Sequence, residues 1–260
     1  MSLFEVQNLS VQIKGKKLLD GLSFCVERGQ ISCIIGPNGA GKSTLLACLG
    51  RLNEKFSGNV LLDGKDICAM TEREIARRIA WLHQSGTDML GFTVREFAKL
   101  SRFAWHKTFS GETNEDKAIV DEALALSNVQ AFADRTLNSL SGGERQRALL
   151  AAALAQGTDI FFLDEPTNFL DYKYQEEMLL LIEKINKKRH VTLLMVTHDL
   201  NIATRLADKI FAIKAGKLAW SGTAKELSKD ITRDIFDTDF VSVKAEDFVG
   251  SCVVPKGLLQ

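Results

Sequence analysis

Ile31-Ser32-Cys33-Ile34-Ile35 runs straight into Gly36-Pro37-Asn38-Gly39-Ala40-Gly41-Lys42-Ser43-Thr44, and then into the helix-forming Leu45-Leu46-Ala47. The loop fits the pattern G-x-x-x-x-G-K-[ST], in which glycines let backbone N–H groups turn inward around phosphate oxygens. The helix that follows presents its positive N-terminus to the same anion. In this reading Lys42 reaches the terminal phosphates and the Ser43 hydroxyl ligates Mg²⁺. A plain glycine turn before a helix is the bland alternative, and the β-rich run in front of the loop argues against it.

Two further apolar runs end the same way. Asp159-Ile160-Phe161-Phe162-Leu163 leads into Asp164-Glu165, and Val191 to Val196 leads into Thr197-His198-Asp199. Short β-rich runs separated by helical stretches read as buried parallel strands. Ligands of such sheets sit at the carboxyl ends of the strands, so the three polar clusters are expected to share one edge. Between residues 88 and 156 no strand-like run occurs, and Asp116 to Leu126 and Glu144 to Gln156 read as helices. This predicts a helical subdomain at 88–156 inserted into an α/β core formed by 1–87 and 157–230. Phe4 to Ile13 and Leu22 to Val26 alternate like antiparallel strands, with Lys14-Gly15-Lys16 as a turn. A short helix at Ala224 to Leu227 precedes a C-terminal tail, 231–260, in which Phe240 to Val243 reads as an edge strand.

Adjacent acids after a buried strand are costly unless a metal or a proton-transfer task employs them. Asp164 would hold Mg²⁺ from the far side of the phosphates, and Glu165 would act as general base on the attacking water. The alternative is an acidic helix N-terminus. Leu140-Ser141-Gly142-Gly143-Glu144-Arg145-Gln146-Arg147 carries a capping box, Ser141 with Glu144, and Gly157 ends the helix that follows. Capping does not explain two glycines in a first turn, where each costs roughly 1 kcal/mol relative to alanine. An anion approaching the backbone closely at Gly142 and Gly143 would explain them.

With these segments in this order, residues 3 to 225 resemble the ABC ATPase family, whose signature is of the LSGGQ type; LSGGERQR is a close variant. The resemblance implies an α/β P-loop NTPase fold with a mostly parallel central sheet, an antiparallel β subdomain and a helical insert. It implies that Gln84 is the glutamine that senses Mg²⁺ and the attacking water, although alone Gln84 would read as a surface polar residue. Asn168-Phe169-Leu170-Asp171 matches the loop that crosses the dimer interface, the D-loop. His198, which could otherwise be a core histidine, matches the switch histidine that contacts the γ-phosphate. ATP with Mg²⁺ is then the expected ligand, held by Gly36 to Thr44 of one copy and Ser141, Gly142 and Gly143 of a second. The family usually stacks an aromatic ring on adenine; here that position is Ile13, an aliphatic departure bearing on base selectivity.

Composition bounds the rest. The 260 residues are 45% hydrophobic, and 33 Lys plus Arg balance 33 Asp plus Glu. Zero net charge lowers the expectation of a nucleic-acid partner. Five cysteines without a C-x-x-C pair suit a reducing cytoplasm. The start Met1-Ser2-Leu3-Phe4-Glu5 shows no signal peptide, and no window nears the roughly 18 apolar residues of a spanning helix. The resemblance implies as partners a second copy, transmembrane permease subunits and, indirectly, a solute-binding protein, with the chain peripheral on the cytoplasmic face of the cell membrane. Thr93-Val94-Arg95-Glu96-Phe97, Ser101-Arg102-Phe103, Glu165-Pro166-Thr167-Asn168-Phe169-Leu170-Asp171 and the Ile235 to Val243 tail resemble the importer group for iron–siderophore, heme or cobalamin. A soluble ABC ATPase of iron–sulfur cluster assembly is the alternative. Met89 and Leu90, with Phe92, Phe97, Phe103 and Trp105 nearby, are expected to border a permease-docking groove, although most of these would equally serve as the insert's own core.

Overall fold

The computed structural model describes residues 2–83, 91–106, 112–244 and 251–256; Gln84, Met89 and Leu90 lie outside them. Contacts divide the chain into two units, Met1–Ala69 with Leu194–Gln260, and Met70–Leu193.

The first unit opens on β1 (Ser2–Ile13) and β2 (Lys16–Glu27), an antiparallel pair. Lys14 and Gly15 both take positive φ, 48° and 81°, the twist a two-residue hairpin turn needs. Phe4, Val6, Leu9 and Val11 of β1 are buried with Leu19, Leu22, Phe24 and Val26 of β2. β3 (Ile31–Ile35) is buried along its whole length and precedes α1 (Lys42–Leu49). β4 (Ser57–Leu62) and β5 (Lys65–Asp66) complete a four-stranded sheet in the order β2-β1-β4-β5.

The second unit contains α2 (Glu72–Ala76), β6 (Ile79–Leu82), α3 (Val94–Leu100), a 3-10 turn at Ser101–Trp105, α4 (Asn114–Leu126), α5 (Gly142–Ala155), β7 (Ile160–Asp164) and α6 (Tyr172–Arg189). Four of its helices start with a reciprocal capping box: Thr71 with Glu74, Thr93 with Glu96, Thr113 with Asp116 and Ser141 with Glu144. α4 and α5 are the two predicted helices, each beginning two residues earlier, where these caps place the start. Among the described residues here, the only extended pairing outside β6 and β7 is an isolated bridge between Thr93 and Thr136.

α5 packs on α3 and α4, and its Ala148, Ala151, Ala152 and Ala155 are buried along with Leu150 and Leu154. Small side chains let the helices approach closely. Its C-terminal end is tied off by Gln156, whose amide donates to the carbonyls of Ala76 (2.6 Å) and Ile79 (2.9 Å). The Gln156 backbone carbonyl accepts from Arg102 (3.1 Å) and from the Trp105 indole (2.7 Å). Arg102 also meets Asp116 at 2.9 Å, both buried, and Asp116 further accepts from Thr113 and pairs with His106.

β8 (Thr192–Val196) spans the division between the units. α7 (Leu200–Leu206), β9 (Lys209–Lys214), β10 (Lys217–Gly222), α8 (Lys229–Phe236), β11 (Phe240–Lys244) and β12 (Ser251–Pro255) follow in the first unit. In the first unit β10, β9 and β3 are hydrogen-bonded in that order, and in the second β7 neighbours β6. β3 is parallel to β9 and β6 to β7, while β10 returns antiparallel to β9. Buried residues in unbroken runs, as in β3, β7 and β8, are what a parallel sheet covered on both faces requires. The C-terminal segment departs from expectation. β11 joins neither larger sheet; it pairs with β12 as a two-stranded hairpin. Asn201 of α7 holds that hairpin, its amide nitrogen donating to the Val253 carbonyl (3.1 Å) and its oxygen accepting from the Val253 N–H (2.7 Å).

Candidate active site

In the first unit the loop after β3 is locked by its own backbone. Gly36, Gly39 and Gly41 take φ of 146°, 77° and 103°, and left-handed residues in a short loop build the concave backbone that binds anions. A methyl group on Gly36 would lie 2.0 Å from the Ile213 carbonyl oxygen, and one on Gly41 2.7 Å from that of Leu18. Neither position has room for a side chain. The Gly216 N–H, in the turn between β9 and β10, bonds the Ala40 carbonyl at 3.1 Å and braces the loop from behind. Pro37 is half-buried, Asn38 and Gly39 are exposed and Ala40 is buried. Lys42 is 7% exposed; its ammonium donates to the carbonyls of Gly36 (2.8 Å) and Pro37 (3.0 Å), which hold it within the loop. Ser43 and Thr44 follow in the first turn of α1, Ser43 exposed.

His198 belongs to the same unit. The Thr197 N–H bonds the Ile34 carbonyl of β3 at 3.1 Å, so the chain leaves β8 beside the strand that feeds the glycine loop. Asp199 then caps α7, which leaves His198 exposed at the turn. Ile13, at the end of β1, is 49% exposed.

The second unit gathers the acidic residues and the Ser141 segment. Asp164 closes β7 at 8% exposure, and Glu165 takes a left-handed φ of 52° at the turn. A non-glycine residue at positive φ is strained, and such strain concentrates at functional turns. The segment 165–171 is then stitched together: Asn168 N–H to Glu165 O (3.1 Å) and Leu170 N–H to Thr167 O (3.3 Å). Gln175 reaches back from α6 to the Leu170 carbonyl at 3.1 Å, and Asp171 caps α6 through the Tyr174 N–H at 3.0 Å. Phe169, at φ 63°, and Tyr172 stand 90% exposed beside it.

Ser141 and Glu144 form the predicted box. The Ser141 N–H and hydroxyl donate to the Glu144 carboxylate at 2.9 and 2.8 Å, and these two bonds hold its pKa below the ordinary carboxylate range. Gly142 is exposed with no atom within 4 Å of where a side chain would start, whereas Gly143 is buried against Tyr174. The two glycines therefore have different reasons. An open backbone fits the anion-approach account at Gly142, while the packing at Gly143 was not foreseen.

The sequence also gave no warning of His83, after β6. Its ring stacks on Trp81 (4.6 Å, 9° between planes); burial pushes its pKa down, against the opposing pull of Asp164. In the helical part of the unit, Phe103 is 80% exposed, Phe92 and Trp105 partly so, which removes Phe92 and Phe103 from the insert's own core. The guanidinium groups of Arg77 (5.2 Å) and Arg102 (5.4 Å) both lie over the Trp105 ring.

A strand–glycine loop–helix unit in which Gly36 and Gly41 admit no side chain, with a buried lysine inside the loop, defines a phosphate-loop ATPase cassette. The ABC transporter family profile matches residues 19–168, and the chain belongs to that family. Over 249 residues it is 39% identical to the petrobactin import ATP-binding protein FpuC of Bacillus anthracis, covering 95% of this chain and 85% of the relative. It is 38% identical to the iron(3+)-hydroxamate import ATP-binding protein FhuC of Bacillus subtilis, covering 92% and 89%. In fold it resembles a metal-chelate type ABC transporter solved in an inward-facing conformation, with a TM-score of 0.86 at 24% identity over 100% of this chain and 99% of that one. The dimeric ABC transporter cassette MJ0796 gives 0.76 at 28% identity over 86% and 100%.

Proposed function

We propose that this chain is the ATP-hydrolysing subunit of an importer for a metal chelate, of the iron–siderophore, heme or cobalamin kind, peripheral on the cytoplasmic face of its membrane. What carries the reading is the extent of the likeness to import ATP-binding proteins, 39% identity over 95% of the chain. That extent favours an importer ATPase over one of iron–sulfur cluster assembly.

Gly36 to Thr44 cradle the phosphates, and Lys42 supplies the cation for the β- and γ-phosphate oxygens. Ser43 and Asp164, with Gln84, would hold Mg²⁺, which neutralises phosphate charge when bound; one carboxylate and a hydroxyl suffice beside phosphate oxygens. Glu165 accepts a proton as water attacks the γ-phosphorus, the new P–O bond forms and the bond to the ADP oxygen breaks. His198 contacts the γ-phosphate. Ser141, Gly142 and Gly143 serve the nucleotide of a second copy, and Asp171 lies at the crossing between copies, so two chains enclose two ATP molecules. Ile13 covers the base without a ring.

Two experiments test this. Glu165→Gln should keep ATP affinity, lose nearly all turnover and accumulate an ATP-bound dimer by light scattering; parental hydrolysis would remove Glu165 as the base. Reconstituted with its permease in liposomes, the parent should drive ATP-dependent uptake of a ferric siderophore. Normal ATPase activity with no uptake of any metal chelate would overturn the importer assignment.

A further inference from the structure

We infer that Tyr174 is a positioning residue for hydrolysis: its ring seats in the notch left by Gly143 and fixes Ser141–Gly143 to the Glu165–Asp171 loop. This rests on the reading that Ser141–Gly143 serves a second copy's nucleotide. Both glycines have ordinary helical backbone, so neither is demanded by φ. A methyl group on Gly143 would lie 2.5 Å from Cγ of Tyr174, 2.6 Å from Cδ1 and 3.0 Å from Cδ2. Those atoms are the root and body of the ring, not a flexible tip, so the clash is not relieved by a small terminal swing. Gly142, one residue earlier, has nothing within 4 Å.

The ring is also held from its other neighbours. Arg147, one turn beyond Gly143 on the same face of α5, places its guanidinium 5.5 Å from the ring centre, and the Lys173 ammonium lies 5.8 Å from it. Arg147 is anchored in turn to Glu177 of α6 at 2.6 Å. The Tyr174 N–H caps onto Asp171, and the neighbouring Gln175 grips the Leu170 carbonyl. The first turns of α5 and α6 are thus joined by a ring in a notch, closed by an ion pair.

The consequence is functional. In the two-copy arrangement Glu165, at the start of that loop, works on the chain's own nucleotide and Ser141–Gly143 on the partner's. A stiff joint between them makes closure at one site position the other, and loss of the joint costs turnover while nucleotide binding by Gly36–Thr44 is retained.

A double-mutant cycle on the full chain tests this. Tyr174→Ala should lower kcat about tenfold, with fluorescent-nucleotide affinity within twofold of the parent, and Tyr174→Phe should restore kcat. Gly143→Ala should cost about tenfold in the parent and at least threefold less than that in the Tyr174→Ala background. Gly142→Ala should cost the same in both. Tyr174→Leu serves as the background if the alanine variant does not fold, as judged by thermal melting. Additive costs of Gly143→Ala and Tyr174→Ala, or full kcat in Tyr174→Ala, would overturn the joint. Parental hydrolysis by Ser141→Arg would instead overturn the underlying two-copy reading.

Discussion

Lys42 is held inside the loop by two carbonyls, and in the proposed site it supplies that loop's cation toward phosphate. Charge-assisted hydrogen bonds of this kind are worth about 2–3 kcal/mol each. Lys42→Ala should therefore remove most MgATP binding in a fluorescent-nucleotide titration, and near-parental affinity would contradict the assignment. Ile13 poses a finer question. It is 49% exposed, so a base can reach it, yet an aliphatic group offers no ring face. Ile13→Tyr should tighten ATP by about 1 kcal/mol and sharpen ATP over GTP, the scale of an aromatic contact. Unchanged affinity would mean that another residue stacks on adenine. The glycine loop was legible residue by residue because its spacing is its chemistry. Gly143 was only half legible, because the ring that fills its notch lies 31 positions further along the chain, at Tyr174. Nothing local encodes that meeting.

At the scale of elements, the buried strands and the two longest predicted helices could be read directly. Apolar runs of five and capping residues are local signals, and four capping boxes mark the second unit. The C-terminal hairpin could not, since the Asn201–Val253 bonds join positions far apart. The Arg102–Asp116 pair was equally hidden. Burial pushes the Asp116 carboxyl upward, but hydrogen bonds from Thr113, Arg102 and His106 outweigh it and hold the pKa well below the usual carboxylate range. A depressed folded-state value stabilises the protein above the unfolded-state pKa and is lost as pH falls through that range. Asp116→Asn should thus cost about 3 kcal/mol near pH 7, the scale of breaking a buried pair. The deficit should shrink below roughly pH 4, where the unfolded carboxyl is itself protonated. Urea melts at both pH values check this; an equal deficit at both would show that charge is not what the site stabilises.

At the scale of the whole molecule, one chain carries one glycine loop and one Ser141–Gly143 segment, so in the proposed two-copy arrangement each site draws on both chains. By symmetry two identical copies then complete two sites. Ser141→Arg should bind ATP nearly as the parent does, because the glycine loop is intact, and should fail to hydrolyse it, because the bulky cation blocks the face offered to the partner. Lys42→Ala fails for the opposite reason. Mixed, the two inactive variants pair so that the sound loop of the first faces the sound segment of the second, and some hydrolysis should return. The parent's rate per chain should likewise rise with protein concentration until the pair is saturated. A rate per chain independent of dilution, or normal hydrolysis by Ser141→Arg alone, would mean that each chain completes its own site.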